Sequence, residues 1–574
     1  MESENRICQN CKNDFIIEAE DFAFYDKIHV PAPTFCPDCR FQIKFAHREE
    51  RSLYKNTCNL CNRDMISVYP KDSPYNVFCS ECWWSDAWDP MDYGRDYDFN
   101  RPFFEQFNEL QKTVPAQGIN LRNCNNCTYS HGLIRCKNCS FVFTGIQSVN
   151  CFYCQSPIFT KDSMDSDGVM NGDSIYENVN TIHVYNTKFV YFSNDCIDCA
   201  FLFNCVGCSD CFGCVNLRNQ KYCIFNVKYT KEEYKEKIKY WDLSSHLKIK
   251  EAEEKFLELY YKTPRRFASI INSVNVLGDD IENTKNSKYC FDTRHGVEEC
   301  KFVYFCGLLL KDSYDVVIGG NTSELLYETL ASTSCQNSFF IRSCNNAINV
   351  EYSDNIYNGN NLFGCTKMRH KKYCILNKQY GKVEYEEILP KIKQHMIDMP
   401  YIDKKGRVFK YGDFFPIELS NWPYNESLAN QWFPLSKEDI LNNQYNYKEP
   451  IDRDYKISLK SEDLPDNIKD IDESILNEVI LCEHYKNDYS CNEQCTMAFK
   501  IMPDELLFYK KMNIAIPRLC PNCRFYKRLK WRNPQKLWDR KCMNQGCENV
   551  FKTAISEDRK EIIYCETCYQ QKFI

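Results

Sequence analysis

From residue 107 to 380 the chain alternates short apolar runs with polar turn residues. FVYFS and KFVYF stand among Asn, Asp and Gly, and segments of one style recur: RNCNNCTYSHGL, IRCKNCSFVFTG, VNCFYCQSP, SNDCIDCAFLF and NCVGCSDCFGC. Runs this short, bounded by turn formers, predict strands of a few residues each. Spacing is 12 from Cys124 to Cys136 and 15 from Cys136 to Cys151, so the unit reads as irregular. The expectation is a mainly β fold, a Cys/Asn-rich β-solenoid whose rungs bury Phe, Val, Ile and Cys while Asn side chains ladder at the turns.

The solenoid reads as duplicated. FGCVNLRNQKYCIFNVKY from Phe212 matches FGCTKMRHKKYCILNKQY from Phe363 at a shift of 151, with ten of 18 positions identical. The halves span 107–229 and 265–380. Each runs into helix: Thr230 and Glu233 form a T-x-x-E capping box that opens a helical hairpin over 230–264, and EYEEILPKIKQHM follows Val383. A helical and aromatic linker covers 381–481, with Ser436 and Asp439 marking a helix start. Ile468, Ile471, Ile475, Leu476, Val479 and Ile480 fall on one face of a further predicted helix.

Composition changes the picture at both ends. Of 37 cysteines, two matched sets of quartets stand outside the solenoid: Cys8, Cys11, Cys36 and Cys39 with Cys58, Cys61, Cys79 and Cys82, over 1–106; and Cys491, Cys495, Cys520 and Cys523 with Cys542, Cys547, Cys565 and Cys568, over 482–574. From Cys11 to Cys58 a shift of 484 superposes the two ends without a gap, 15 of 48 positions agreeing, and Arg48 falls on Arg532. Pairs of C-x2-C thiols complete a tetrahedral zinc shell, and C-P-x-C before a helical pattern predicts a treble-clef or zinc-ribbon-like module with two ions. About four Zn2+ per chain follow, more if solenoid cysteines take part. Sequential and interleaved ligand sets share this spacing, and Cys482 and His484 stand as competing ligands. Within the solenoid, Cys124, Cys127, Cys136 and Cys139 could hold a further ion or could simply stack as small buried residues.

FYDKIHVPAPTFCPDCR and FYKKMNIAIPRLCPNCR resemble a small bacterial zinc-binding domain with the pattern C-x2-C, an FY segment, then CPxCR. The whole arrangement, with CSECWWSDAWD and RNQKYCIFN, is similar to uncharacterised Cys-rich proteins of ultrasmall candidate-phyla bacteria. The resemblance implies zinc and an architecture, and no reaction. The C-terminal copy departs from it with C-x3-C at Cys491 and Cys495 and C-x4-C at Cys542 and Cys547.

Disulfides are the competing use of so many cysteines. The start, MESENRICQN, has neither a basic nor an apolar leader region, and no apolar run reaches membrane-span length, so a cytoplasmic protein with reduced thiols is expected. The chain carries −7 overall, yet Lys510 to Lys541 holds eleven Lys or Arg against Asp539 alone. Arg518, Arg524, Lys527, Arg528, Lys530 and Arg532, interleaved with aromatics, form a candidate surface for RNA or single-stranded nucleic acid. A solvated face that offsets acidic surface of the same chain is the alternative. HExxH, GxSxG and phosphate-binding glycine loops are missing, and the histidines are scattered. The sequence therefore predicts a non-enzymatic zinc-binding interaction scaffold, with nucleic acid or a protein assembly as partner and no membrane. An enzyme on the solenoid face stands as the third reading.

Overall fold

A computed structural model describes residues 2–450, 454–485 and 493–573. Its centre is two β-solenoids of stacked parallel coils, over 116–228 and 265–379. Asn125, Lys137, Val149 and Lys161 lie directly over one another in the first solenoid, a step of 12 residues each time, and Ser209 on Lys221 keeps that step at the far end. The irregular unit expected from cysteine spacing is thus corrected. The interval of 15 between Cys136 and Cys151 is one coil plus one three-residue side.

Backbone geometry explains the side length. From Asn123 to Phe225 every third residue has positive φ, as at Asn126 (49°), Tyr129 (47°) and Asn138 (52°). One left-handed residue between two extended ones turns the chain through a corner, so four sides of three residues close each coil. Left-handed backbone costs an L-residue roughly 1–2 kcal/mol. Stacking offsets it: Phe141 N–H donates to Thr128 O at 3.2 Å in the coil behind, and Lys137 N–H to Ser148 O at 2.9 Å in the coil ahead. Asn corners, the least penalised type apart from Gly, also ladder, with Asn126 Nδ2 on Asn138 Oδ1 and Asn138 Nδ2 on Asn150 Oδ1, both at 3.1 Å. The residue after each corner points inward, and these positions hold the buried Cys, Ser, Val and Leu.

The second solenoid also steps by 12 from Gln336 through Ile348 and Asn360 to Lys372, but by 13 from Lys288 through Lys301 and Tyr314 to Tyr327. The extra residue enters where two consecutive residues take positive φ, Leu308 with Leu309 and Asn321 with Thr322. Gly307 and Gly320 stack beside it; Gly320 has φ of 125°, and a Cβ there would lie 1.6 Å from Gly307 O.

Helices finish and flank the solenoids. The capping box at Thr230 and Glu233 opens Lys231–Ile238, His246–Lys262 follows it, and Lys382–Asp398 follows the second solenoid. Ser436 Oγ accepts from Asp439 N–H at 3.0 Å and caps Lys437–Asn442. The helix expected over 468–480 does not form. Two short 3-10 turns stand there, Ile468–Asp470 and Glu473–Asn477, each closed by an acidic or amide side chain at its start, with Ile468, Ile471, Ile475 and Ile480 buried. Among the described residues no helix is long and apolar enough to cross a membrane.

The two terminal modules dock crosswise. Helix Pro37–Ala46 of the N-terminal module lies on the second solenoid through Arg40 and Lys44, which meet Asp315 and Glu328. Helix Pro521–Leu529 of the C-terminal module lies on the first solenoid through Arg524 and Arg528, which meet Asp165 and Glu177. The shift of 484 carries Arg40 onto Arg524 and Lys44 onto Arg528, and the solenoid shift of 151 carries Glu177 onto Glu328. Each module then reaches the start of the other solenoid by a parallel strand pair, Val77 with Ala116 and Ile563 with Arg265. One docking solution is therefore used twice.

Candidate metal centres

Among the described residues, four thiol quartets lie in the terminal modules, each with its sulfurs within 4.8 Å of one another. Site I is Cys8, Cys11, Cys36 and Cys39; site II is Cys58, Cys61, Cys79 and Cys82; site III is Cys482, Cys495, Cys520 and Cys523; site IV is Cys542, Cys547, Cys565 and Cys568. The ligand sets are sequential. Cys482 stands with site III, and Cys491 lies outside the described residues. Cys482 therefore takes the place of Cys8, with 12 residues where the N-terminal knuckle has two.

All four sites are built alike. The third cysteine immediately precedes a helix: Cys36 before Pro37–Ala46, Cys79 before Ser80–Trp84, Cys520 before Pro521–Leu529 and Cys565 before Glu566–Phe573. Its N–H donates to the sulfur of the first cysteine, at 3.2 Å in sites I, II and III and 3.3 Å in site IV. The fourth cysteine lies in the first helical turn, where the positive end of the helix dipole favours thiolate. In sites I and IV an asparagine of the knuckle donates to that fourth sulfur, Asn10 to Cys39 and Asn544 to Cys568, each at 3.3 Å.

Sulfur separations test the fit. With Zn–S of about 2.3 Å, the edge of a tetrahedron is about 3.8 Å. Cys11 and Cys36 are 3.7 Å apart, Cys61 and Cys79 3.9 Å, Cys482 and Cys523 3.9 Å, Cys495 and Cys520 3.9 Å, and Cys547 and Cys565 3.8 Å. Crowded thiols divide their protons unequally. Hydrogen bonds from Cys36 and Cys39 hold Cys8 far below the usual thiol range, and Cys36 and Cys8 push Cys39 far above it. At site II the hydrogen bond from Arg63 brings Cys61 down to about 6. A divalent cation satisfies all four sulfurs as thiolates at once.

The solenoid cysteines are arranged by another rule. Cys124, Cys127, Cys136 and Cys139 take inward positions in the first two coils, with Cys127 registered on Cys139. Here C-x2-C is the three-residue side of the coil. Their thiols point to carbonyls two residues back, Cys124 to Arg122 O at 3.4 Å and Cys139 to Lys137 O at 3.4 Å, as the Ser148 hydroxyl points to Ile146 O at 3.0 Å. Cys205, Cys208, Cys211 and Cys214 fill all four inward positions of one coil and are buried. In the second solenoid burial pushes Cys306 and Cys335 up to about 12, which keeps them neutral thiols.

Of the six basic residues read as a nucleic-acid surface, Arg524 and Arg528 are 1% exposed and their guanidinium groups meet Asp165 at 3.0 and 3.1 Å. Arg524 also meets Glu505 at 3.3 Å. Arg518 is buried and donates to Leu464 O and Pro465 O; Arg532 bridges Asp167 at 3.2 Å and Asp292 at 2.7 Å. Lys527 pairs with Glu253 and Lys530 with Glu493, both at 2.7 Å and both partly or largely exposed. The charge of this helix is spent mainly on acidic groups of the same chain. Sequence reasoning missed those acids. One of them left a signal: IYEN at Ile175 and LYET at Leu326 align under the solenoid shift and mark Glu177, which Arg528 meets, whereas Asp165 falls on Val316.

No family model and no curated protein matches the chain. Among solved structures there is a weak likeness to a protein described as a "putative acetyltransferase" from Desulfovibrio desulfuricans G20. It is 10% identical over 64% of this chain and 89% of that one, with a TM-score of 0.09, too low to carry an argument.

Proposed function

We propose that this chain is a zinc-dependent structural scaffold for a protein assembly. Four Zn2+ ions in sites I to IV hold two small modules in shape, and each module clamps one solenoid while joining the start of the other. The observation that carries this reading is the four thiol quartets, each with its sulfurs within 4.8 Å of one another and with close pairs at 3.7 to 3.9 Å, near the edge length of a zinc tetrathiolate. Four protein sulfurs fill the shell, so these ions act by holding structure and leave no position for a substrate. Arg524 and Arg528 support a protein partner over a nucleic-acid one, because their charge is matched by Asp165 within the molecule. The exposed Asn ladders of the solenoids, with Asn126 on Asn138 and Asn337 on Asn349, offer such a partner a regular surface.

Native mass spectrometry of the purified protein tests the metal part, with four tightly held zinc ions expected. A chain that keeps its fold free of metal, or with Cys36 and Cys39 joined as a disulfide, would overturn it. Affinity capture before and after nuclease treatment tests the partner: proteins retained after nuclease support the scaffold, and partners lost with the nucleic acid refute it.

A further inference from the structure

Site III differs from the other three in what meets its fourth sulfur. Where sites I and IV place an asparagine amide on that cysteine, site III places an imidazole: His484 Nδ1 lies 3.4 Å from Cys523 Sγ. The same nitrogen lies 3.4 Å from Glu493 Oε2. His484 and Glu493 both come from the 12 residues between Cys482 and Cys495, the stretch that the N-terminal copy lacks.

One ring nitrogen thus faces a sulfur and a carboxylate oxygen at equal distance. As an N–H it can point its proton squarely at only one of them, because hydrogen bonds weaken steeply off axis. As a lone pair beside a cation it serves the arrangement in full. The three donor atoms lie within 4.8 Å of one another. With metal–nitrogen and metal–oxygen bonds of about 2.0–2.2 Å and metal–sulfur of about 2.3 Å, ligands of one ion stand roughly 3.3–3.6 Å apart, and both nitrogen separations fit that range. Lys530 occupies the other carboxylate oxygen of Glu493, Oε1, at 2.7 Å, which leaves Oε2 for the ion. His484 and Glu493 are partly exposed, so water reaches the position from outside.

We propose a fifth divalent-cation position at His484, Glu493 and Cys523, adjoining site III and sharing Cys523 Sγ with it as a bridging thiolate. Three protein ligands of mixed nitrogen, oxygen and sulfur type suit a borderline ion such as Zn2+ or Co2+. They leave at least one coordination place for water, unlike the closed quartets. The position is an exchangeable one, held less tightly than the four structural ions. It rests on the reading of site III as a metal tetrathiolate, and its test separates the two.

The experiment is native mass spectrometry of the full chain, titrated with Zn2+ after dialysis against a weak chelator, for the wild type, His484→Ala and Glu493→Gln. The wild type is expected to keep four ions through dialysis and take up a fifth. Both variants are expected to keep four and to weaken the fifth by tenfold or more. Co2+ added to the zinc-loaded wild type should give a spectrum of mixed-ligand cobalt that both variants lose. A wild type that stops at four ions overturns the proposal while leaving the scaffold reading intact. So does a fifth ion unchanged in both variants, or a fall to three tight ions in His484→Ala, which would place the imidazole in the shell of site III itself. Fewer than four tight ions in the wild type would overturn both readings.

Discussion

Arg524 Nε donates to Asp165 Oδ1 at 3.2 Å across 359 positions of the chain, with both side chains at most 2% exposed. Arg528 Nη1 donates to the same carboxylate oxygen at 3.1 Å. Arg40 Nη2 repeats the contact on Asp315 at 2.9 Å in the other dock. A buried pair of this kind does little for stability when whole, because desolvating two ions offsets their attraction, but it is costly to break from one side.

Asp165→Asn should therefore destabilise the dock between the C-terminal module and the first solenoid by about 3–5 kcal/mol, the usual cost of stranding a buried charge. Glu505 and Glu177 remain near the two guanidinium groups and hold the loss toward the lower end. Hydrogen exchange of the amides in Pro521–Leu529 checks it: they should exchange faster in the variant, with those of Pro37–Ala46 unchanged. Equal acceleration in both helices would mean that the two docks are not independent.

Metal removal should act on the modules before the solenoids. Structural zinc supplies on the order of 10–16 kcal/mol of apparent binding energy, comparable to the stability of a small domain. The coils carry their own ladders of backbone bonds. Under a strong chelator, protease cuts should fall first in 2–100 and 493–573, leaving fragments that contain the coils. Simultaneous loss of both ends and middle would show that the solenoids need their clamps in order to fold.

How much of this could be read from the chain divides along a physical line. The thiol quartets were legible because a tetrahedral ion demands four donors at short, repeated spacing, and Cys8, Cys11, Cys36 and Cys39 meet that demand on sequence alone. The coil period was obscured because the same C-x2-C spacing arises where each corner is followed by one inward residue, so Cys136 and Cys151 look irregular while they sit on a constant 12-residue coil. Arg524 and Arg528 read as a basic surface because a helix pattern gives no sign of a carboxylate more than 300 positions away. Ile468 to Ile480 reads as a helix face, but Asn467 and Asp472 accept backbone hydrogen bonds from Lys469 and Ser474 and restart the chain as separate turns.

The acid side of the N-terminal dock gives a pH test. Burial raises Glu328 from its usual value to about 7, against the opposing attraction of Lys44. A carboxyl with a folded value above its unfolded one binds its proton more tightly when folded. Its contribution to stability is thus complete below about pH 4.5 and is lost as pH rises through about 7. Glu328→Gln resembles the protonated group at every pH, so the stability of the variant relative to the wild type should rise between pH 5 and pH 8, by on the order of 2–3 kcal/mol. Urea denaturation at several pH values measures it. A relative stability that falls over that range would mean that the Lys44 charge outweighs burial.

The two uses of C-x2-C separate cleanly under one substitution. At inward solenoid positions serine already does what cysteine does: Ser148 Oγ donates to Ile146 O at 3.0 Å and to Pro157 O at 3.0 Å, while Cys151 Sγ faces Val149 O at 3.5 Å and Thr160 O at 3.8 Å. A hydroxyl placed at Cys151 finds the same two acceptors, so Cys151→Ser should cost no more than about 1 kcal/mol, the scale of one hydrogen bond net of solvent, and leave the zinc count unchanged. Cys36→Ser removes one of four ligands from site I, and that site should lose its ion while sites II to IV keep theirs. Zinc analysis beside thermal unfolding distinguishes the two variants. A lowered zinc count in Cys151→Ser would place metal inside the coils and withdraw the packing explanation for the cysteines there.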